Sequence, residues 1–186
     1  MPYEGTDVNP QQVAKWFIKV GVLNALLAVL FIAPFLIPAP GGASDLFVLA
    51  FAVANFPGTW ALFAYAFFLI VGVLGMIGWG MVYYLLNTLF EKKITNKMMA
   101  LTHLGATLAG VYGATIFFFL AGFIGGRAML PPSECAVLSN MCMGAGLAIV
   151  NALISWTVIP TALSMVITAF GTLIGIGNVI LTYRND

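Results

Sequence analysis

A chain of 186 residues that is 62% hydrophobic and 7% charged has lipid as the solvent for most of its surface, since soluble domains carry about 25% charged residues. The formal net charge of +1 argues against nucleic acid, whose binding needs a basic patch. The length leaves room for one bundle of three or more spans and no separate water-soluble domain, so the expected fold class is an all-α, polytopic integral membrane helical bundle.

The opening MPYEGTDVNPQQVAKW is polar and acidic before its first lysine, and the apolar run after it is too long for the core of a signal peptide. Residues 1–14 therefore read as a retained tail and residues 15–186 as a single transmembrane bundle. The first span is expected at about 16–38, with Lys15 and Lys19 at its start, Trp16 in the interface, and Pro34 and Pro38 closing it ahead of the loop PAPGGAS. Leu46–Ala54 is apolar but too short to cross alone; it is an interfacial or re-entrant piece, or an extension of the next helix. One helix from Leu46 to Leu89 would be about 66 Å long, twice the hydrocarbon thickness, so a break is expected near Asn55-Phe56-Pro57.

The second span, 57–89, has no ionisable side chain except the phenols of Tyr65, Tyr83 and Tyr84. Pro57 suits a first turn, Asn55 is placed to cap it, and Trp79, Tyr83 and Tyr84 are placed for the headgroup zone. The third span, 98–125, carries Gly105, Ala109 and Gly113 at four-residue spacing, which predicts a close helix contact. A polar stretch, GGRAMLPPSECAVLSNMCMG, follows. Ala145–Ile154 either begins a further helix or lies in the interface. The last span, 156–183, repeats the small-residue spacing at Gly171 and Gly175 and stops at Arg184.

Cytoplasmic loops carry the excess of Lys and Arg. With four spans, Lys15, Lys19, Lys92, Lys93, Lys97 and Arg184 fall on one side and Arg127 alone on the other. A fifth span through 135–154 would move Arg184 across and weaken that bias. Four spans with both termini cytoplasmic, in the cell membrane, are the expectation.

His103 is the only histidine, near the cytoplasmic end of the third span. With no charged partner within the predicted spans it reads as a structural, hydrogen-bonded histidine; a proton relay through His103, Asn151 or Asn178 is the alternative. One histidine cannot hold a heme on both faces or build a three-histidine copper site. Cys135 and Cys142 fall in a loop expected to face outward, where oxidising conditions favour a disulfide. Helical spacing would put their α-carbons about 10 Å apart, so the bond requires a non-helical loop. Met141-Cys142-Met143 offers soft sulfur ligands for cuprous copper, although methionine in such a chain usually serves packing. No phosphate loop, nucleophile constellation or paired intramembrane carboxylates are present, so no catalytic, cofactor or metal residue is assigned to this chain alone.

From Pro57 onward the chain resembles the C-terminal part of subunit I of heme-copper oxidases, most closely the B-type members. Pro57-Gly58 matches the opening of one helix in that pattern, and Gly80-Met81-Val82-Tyr83-Tyr84-Leu85-Leu86 its close. His103 matches the next helix and Ala121-Gly122-Phe123-Ile124-Gly125-Gly126-Arg127 its end, while the glycine-rich IPTALSMVITAFGTLIGIGNVILTY matches the final one. Thr59 and Ala61 stand where that pattern puts two metal-ligating histidines, and Leu101 is one residue closer to His103 than the pattern has it. The resemblance implies a piece that keeps the packing surfaces of an oxidase core and lacks its redox centre.

The leading expectation is a non-catalytic integral subunit of a membrane oxidoreductase, such as a terminal oxidase, with other membrane subunits as partners. Heme or copper would sit in those partners, and lipid or quinone at the interface. The alternatives are a small transporter or channel subunit and an accessory subunit of a membrane copper monooxygenase.

Overall fold

The computed structural model describes residues 10–36, 57–92, 94, 96–130 and 143–184. Among these there is no strand, and four helices are long and apolar enough to cross a membrane. They are α1 (Pro10–Leu36), α2 (Thr59–Thr88), α3 (Lys97–Met129) and α4 (Leu147–Arg184). The chain is an all-α, multi-pass membrane protein.

Helix α1 starts at Pro10, inside what the sequence assigns to the tail. Proline is favoured in a first turn, and Val13, Ala14 and Phe17 recur at helical spacing and are buried, so the apolar face extends the helix back past Lys15. Pro34 lies within the last turn rather than ending the helix. The Leu46–Ala54 segment and Asn55 lie outside the described residues.

The break before α2 falls at Pro57-Gly58, whose carbonyls accept the Trp60 and Ala61 N–H groups, each at 3.0 Å. Within α2, residues Phe68–Gly75 form a π-helical stretch between two α-helical ones, a feature the hydropathy pattern does not reveal. At its end Glu91 takes a left-handed conformation (φ 51°), and the Lys92 N–H reaches back to the Leu86 carbonyl at 3.0 Å. Such a residue terminates helices by satisfying a carbonyl that the last turn leaves open. Asn96 then opens α3, its side-chain oxygen accepting the Met99 N–H at 3.2 Å.

Helix α3 runs through Gly126 and Arg127 to Met129, four residues beyond the expected end. Ala121, Gly125 and Ala128 continue one buried face, which holds the chain in the helix there. Residues 147–154 are the beginning of α4, not a separate fifth span: they join Val158–Arg184 through a 3-10 turn at Ser155–Thr157. Pro160 accounts for that turn, because its ring crowds the carbonyl four residues earlier, at Trp156, and it has no N–H to bond it.

The chain divides into two compact units. Unit 1 is Met1–Ala25, Leu69–Tyr112 and Ser164–Asp186; unit 2 is Leu26–Phe68 and Gly113–Leu163. The core of unit 1 is Val13, Ala14, Phe17, Met76, Tyr83, Leu86, Ile94 and Ala100. Here α1 and α2 meet through glycine: Gly21 lies against Val73 and Ile77, and Gly80 against Ala14 and Ile18. Unit 2 packs Gly122 onto the backbone of Gly58 and Ala61 and stacks Trp60 on Phe118 at 5.3 Å. Phe31 packs edge-on against Phe119 at 4.8 Å in the same unit. Lys15, Lys19, Lys92, Lys97 and Arg184 belong to unit 1, and Arg127 to unit 2.

Candidate functional site

The most polar buried region lies in unit 1, on facing sides of α3 and α4. In unit 1 the buried residues of α4 are Ser164, Thr168, Gly171, Gly175, Asn178 and Thr182, a line alternating four and three residues apart. Such alternation keeps one narrow face of a helix toward a neighbour. The hydroxyls on it bond back into their own helix: Thr168 to the Ser164 carbonyl at 3.0 Å, and Thr182 to the Asn178 carbonyl at 2.8 Å. That removes their polarity from the interface.

The same alternation on α3 selects His103, Thr107, Gly110 and Ala114, all buried. The expected contact through Gly105, Ala109 and Gly113 is therefore corrected: Gly105 and Ala109 are exposed, Gly113 is half-buried, and a Cβ on Gly105 would meet open space. A uniform four-residue step drifts round a 3.6-residue helix, whereas the 4-3 alternation stays on one side. Gly110 lies against Ser164 and Thr168, Gly171 against Thr107, and Gly175 against the imidazole of His103, where any Cβ would overlap the ring.

His103 is fully buried. Phe17 flanks its ring at 4.9 Å, Trp79 meets it nearly perpendicular at 4.4 Å, and Tyr83 Oη is hydrogen-bonded to Nδ1 at 3.1 Å. Asn178, also fully buried, donates from Nδ2 to the Asn96 carbonyl at 3.2 Å and bears on the Tyr83 hydroxyl. Three of these buried side chains keep an atom with no hydrogen-bond partner among the described residues: His103 Nε2, Thr107 Oγ1 and Asn178 Oδ1.

A second polar knot in unit 1 fastens the π-helical stretch. Asn24 Nδ2 donates to the Gly72 carbonyl at 2.6 Å, and Tyr112 Oη donates to Asn24 Oδ1 at 2.6 Å. Widened turns of this kind displace carbonyls from regular helix bonding, and Asn24 supplies the donor.

The predicted site residues divide accordingly. His103 and Asn178 share one polar cluster, whereas Asn151 is exposed on the first segment of α4, away from any such line. Cys135 and Cys142 lie outside the described residues. Ala61, at a position where the resembling pattern has a histidine, is buried and takes the close approach of Gly122. Among the described residues no three His, Cys, Asp or Glu side chains converge. Two features escaped the sequence reading. Arg127 is inside α3, 4% exposed, with its guanidinium 5.5 Å from the centre of the Phe123 ring. The polar line of α4 is the other, and its signal is the spacing of the threonines and Asn178 along the sequence.

Fold and site together define a multi-pass helical membrane protein with a packed imidazole. In comparisons with protein-family profiles, curated proteins and solved structures, nothing matches this chain.

Proposed function

We propose that the chain is a non-catalytic integral subunit of a multi-subunit oxidoreductase of the cell membrane, a terminal oxidase by the resemblance of its helices, with both termini cytoplasmic. The observation that supports this most is the use made of its single histidine. The His103 ring is walled by Phe17, Trp79 and Gly175 and tied to Tyr83, so the imidazole serves the packing of four helix faces rather than an open pocket. Apolar side chains meanwhile cover the outward surfaces, as on Leu62, Ile70, Ile116, Leu163, Val166 and Phe170, each more than half exposed. Such surfaces suit lipid and neighbouring membrane helices equally. Heme or copper belongs to the partner subunits in this reading, and lipid or quinone to the interfaces.

Gentle detergent extraction followed by identification of co-migrating proteins tests it: redox-active membrane partners are the expected companions. A heme absorbance band that stays with the separately expressed chain would overturn it. A small transporter or channel subunit is the second reading, favoured by the buried polar line through Asn178 and His103. Reconstituted flux that Asn178→Leu abolishes would select it.

A further inference from the structure

We propose that His103, Thr107 and Asn178 together bind ordered water inside unit 1, and that Asn178 and Asn96 form the side of this site nearest the aqueous loop between α2 and α3. All three side chains are at most 3% exposed, and each keeps one polar atom without a partner among the described residues. Few buried polar groups are left unpaired, because each then bears the full cost of leaving water. Three along one helix contact call for a polar ligand there.

Their placement allows one. His103 and Thr107 are one turn apart on α3. Gly171 lies directly on Thr107 and Gly175 on His103, and Asn178 is the next residue on that face of α4, about 10 Å along the helix from Gly171. The chemistry fits a small neutral molecule that both donates and accepts. If the Tyr83 hydroxyl donates to Nδ1, the imidazole carries its proton on Nε2 and offers a donor. Asn178 Oδ1 is an acceptor, and the Thr107 hydroxyl is either. Ordered water, as one molecule or a short file, accepts from the first, donates to the second and joins the third, and each molecule takes two to four such partners. The described surroundings are rings and amides without a carboxylate, which suits water over a cation. Asn178 Nδ2 meanwhile holds the carbonyl of Asn96, an exposed residue capping α3, which marks the route toward solvent. The inference does not depend on which assembly the chain belongs to.

Because the chain has one histidine, labelling it with ¹⁵N-histidine gives a single imidazole signal. With the full chain in lipid bilayers, solid-state NMR is expected to show the proton on Nε2, magnetisation passing from water to that proton, and its replacement after transfer to D2O. The pair Thr107→Val and Asn178→Leu should lose most of the water transfer while the imidazole signal remains. A proton on Nδ1 instead, no transfer from water in the unsubstituted chain, or transfer that the double substitution leaves unchanged would each overturn the proposal. The unsubstituted measurement decides the matter even where the double variant does not fold.

Discussion

The two units solve the same packing problem with different means. Around His103, unit 1 brings helices together through side chains: Gly175 faces the histidine ring, and buried amides and phenols supply hydrogen bonds, while further along α3 Gly110 meets the backbone of Ser164 and Thr168. Unit 2 brings backbone onto backbone, with Gly122 against Ala61 N and Gly58 O, and surrounds that contact with stacked aromatic rings. A side chain can give way to an intruding methyl group more easily than a backbone can, so the Gly122 contact should be less forgiving than the Gly175 contact.

The sharpest test of that difference adds one methyl group to each. Gly122→Ala is expected to destabilise the protein by about 3 kcal/mol, at the upper end of overpacking costs, and by more than Gly175→Ala does, read as thermal unfolding in one detergent. Equal losses would erase the distinction. As a reference, Gly105→Ala should lie within about 0.5 kcal/mol of the unsubstituted chain, since its Cβ meets nothing.

Next in size is the buried cation of unit 2. Arg127 and Phe123 should show a coupling of about 1–2 kcal/mol in a double-mutant cycle using Arg127→Met and Phe123→Leu, the range for a desolvated cation over a ring. Additive losses would assign Arg127 to other contacts. At the edge of unit 1, Glu91→Gly should raise stability by about 1 kcal/mol, because glycine adopts the left-handed conformation without a Cβ clash. The smallest effect is expected for Tyr83→Phe, which removes the bond to His103. Hydrogen bonds between membrane helices average about 0.6 kcal/mol, so a loss well above that would show the polar cluster acting as a unit.

What could be read in advance was the part governed by a signal along the chain. Runs of apolar residues longer than the hydrocarbon is thick located α1 to α4, and Pro57 located the break before α2. What could not be read depended on which helix face meets which. Gly105 and Gly110 are the same residue on the same helix, yet only Gly110 touches a neighbour, because that neighbour's Ser164 and Thr168 lie more than fifty positions away in the sequence. The sequence puts Arg127 in the polar stretch after the third span; its burial follows from Ala121, Gly125 and Ala128 carrying the helix past it. The alternating threonines of α4 show that some of this was legible after all: small and hydroxyl-bearing residues at 4-3 spacing name the inward face without any structure.

The π-helical stretch of α2 has a bearing on length variation. Its wider turns take up about one residue more than an α-helix would, which leaves the Gly72 carbonyl for Asn24 to hold. Removing a single residue between Phe68 and Gly75 would let the stretch tighten into regular α-helix, and the Asn24 amide would then lose the displaced carbonyl it holds.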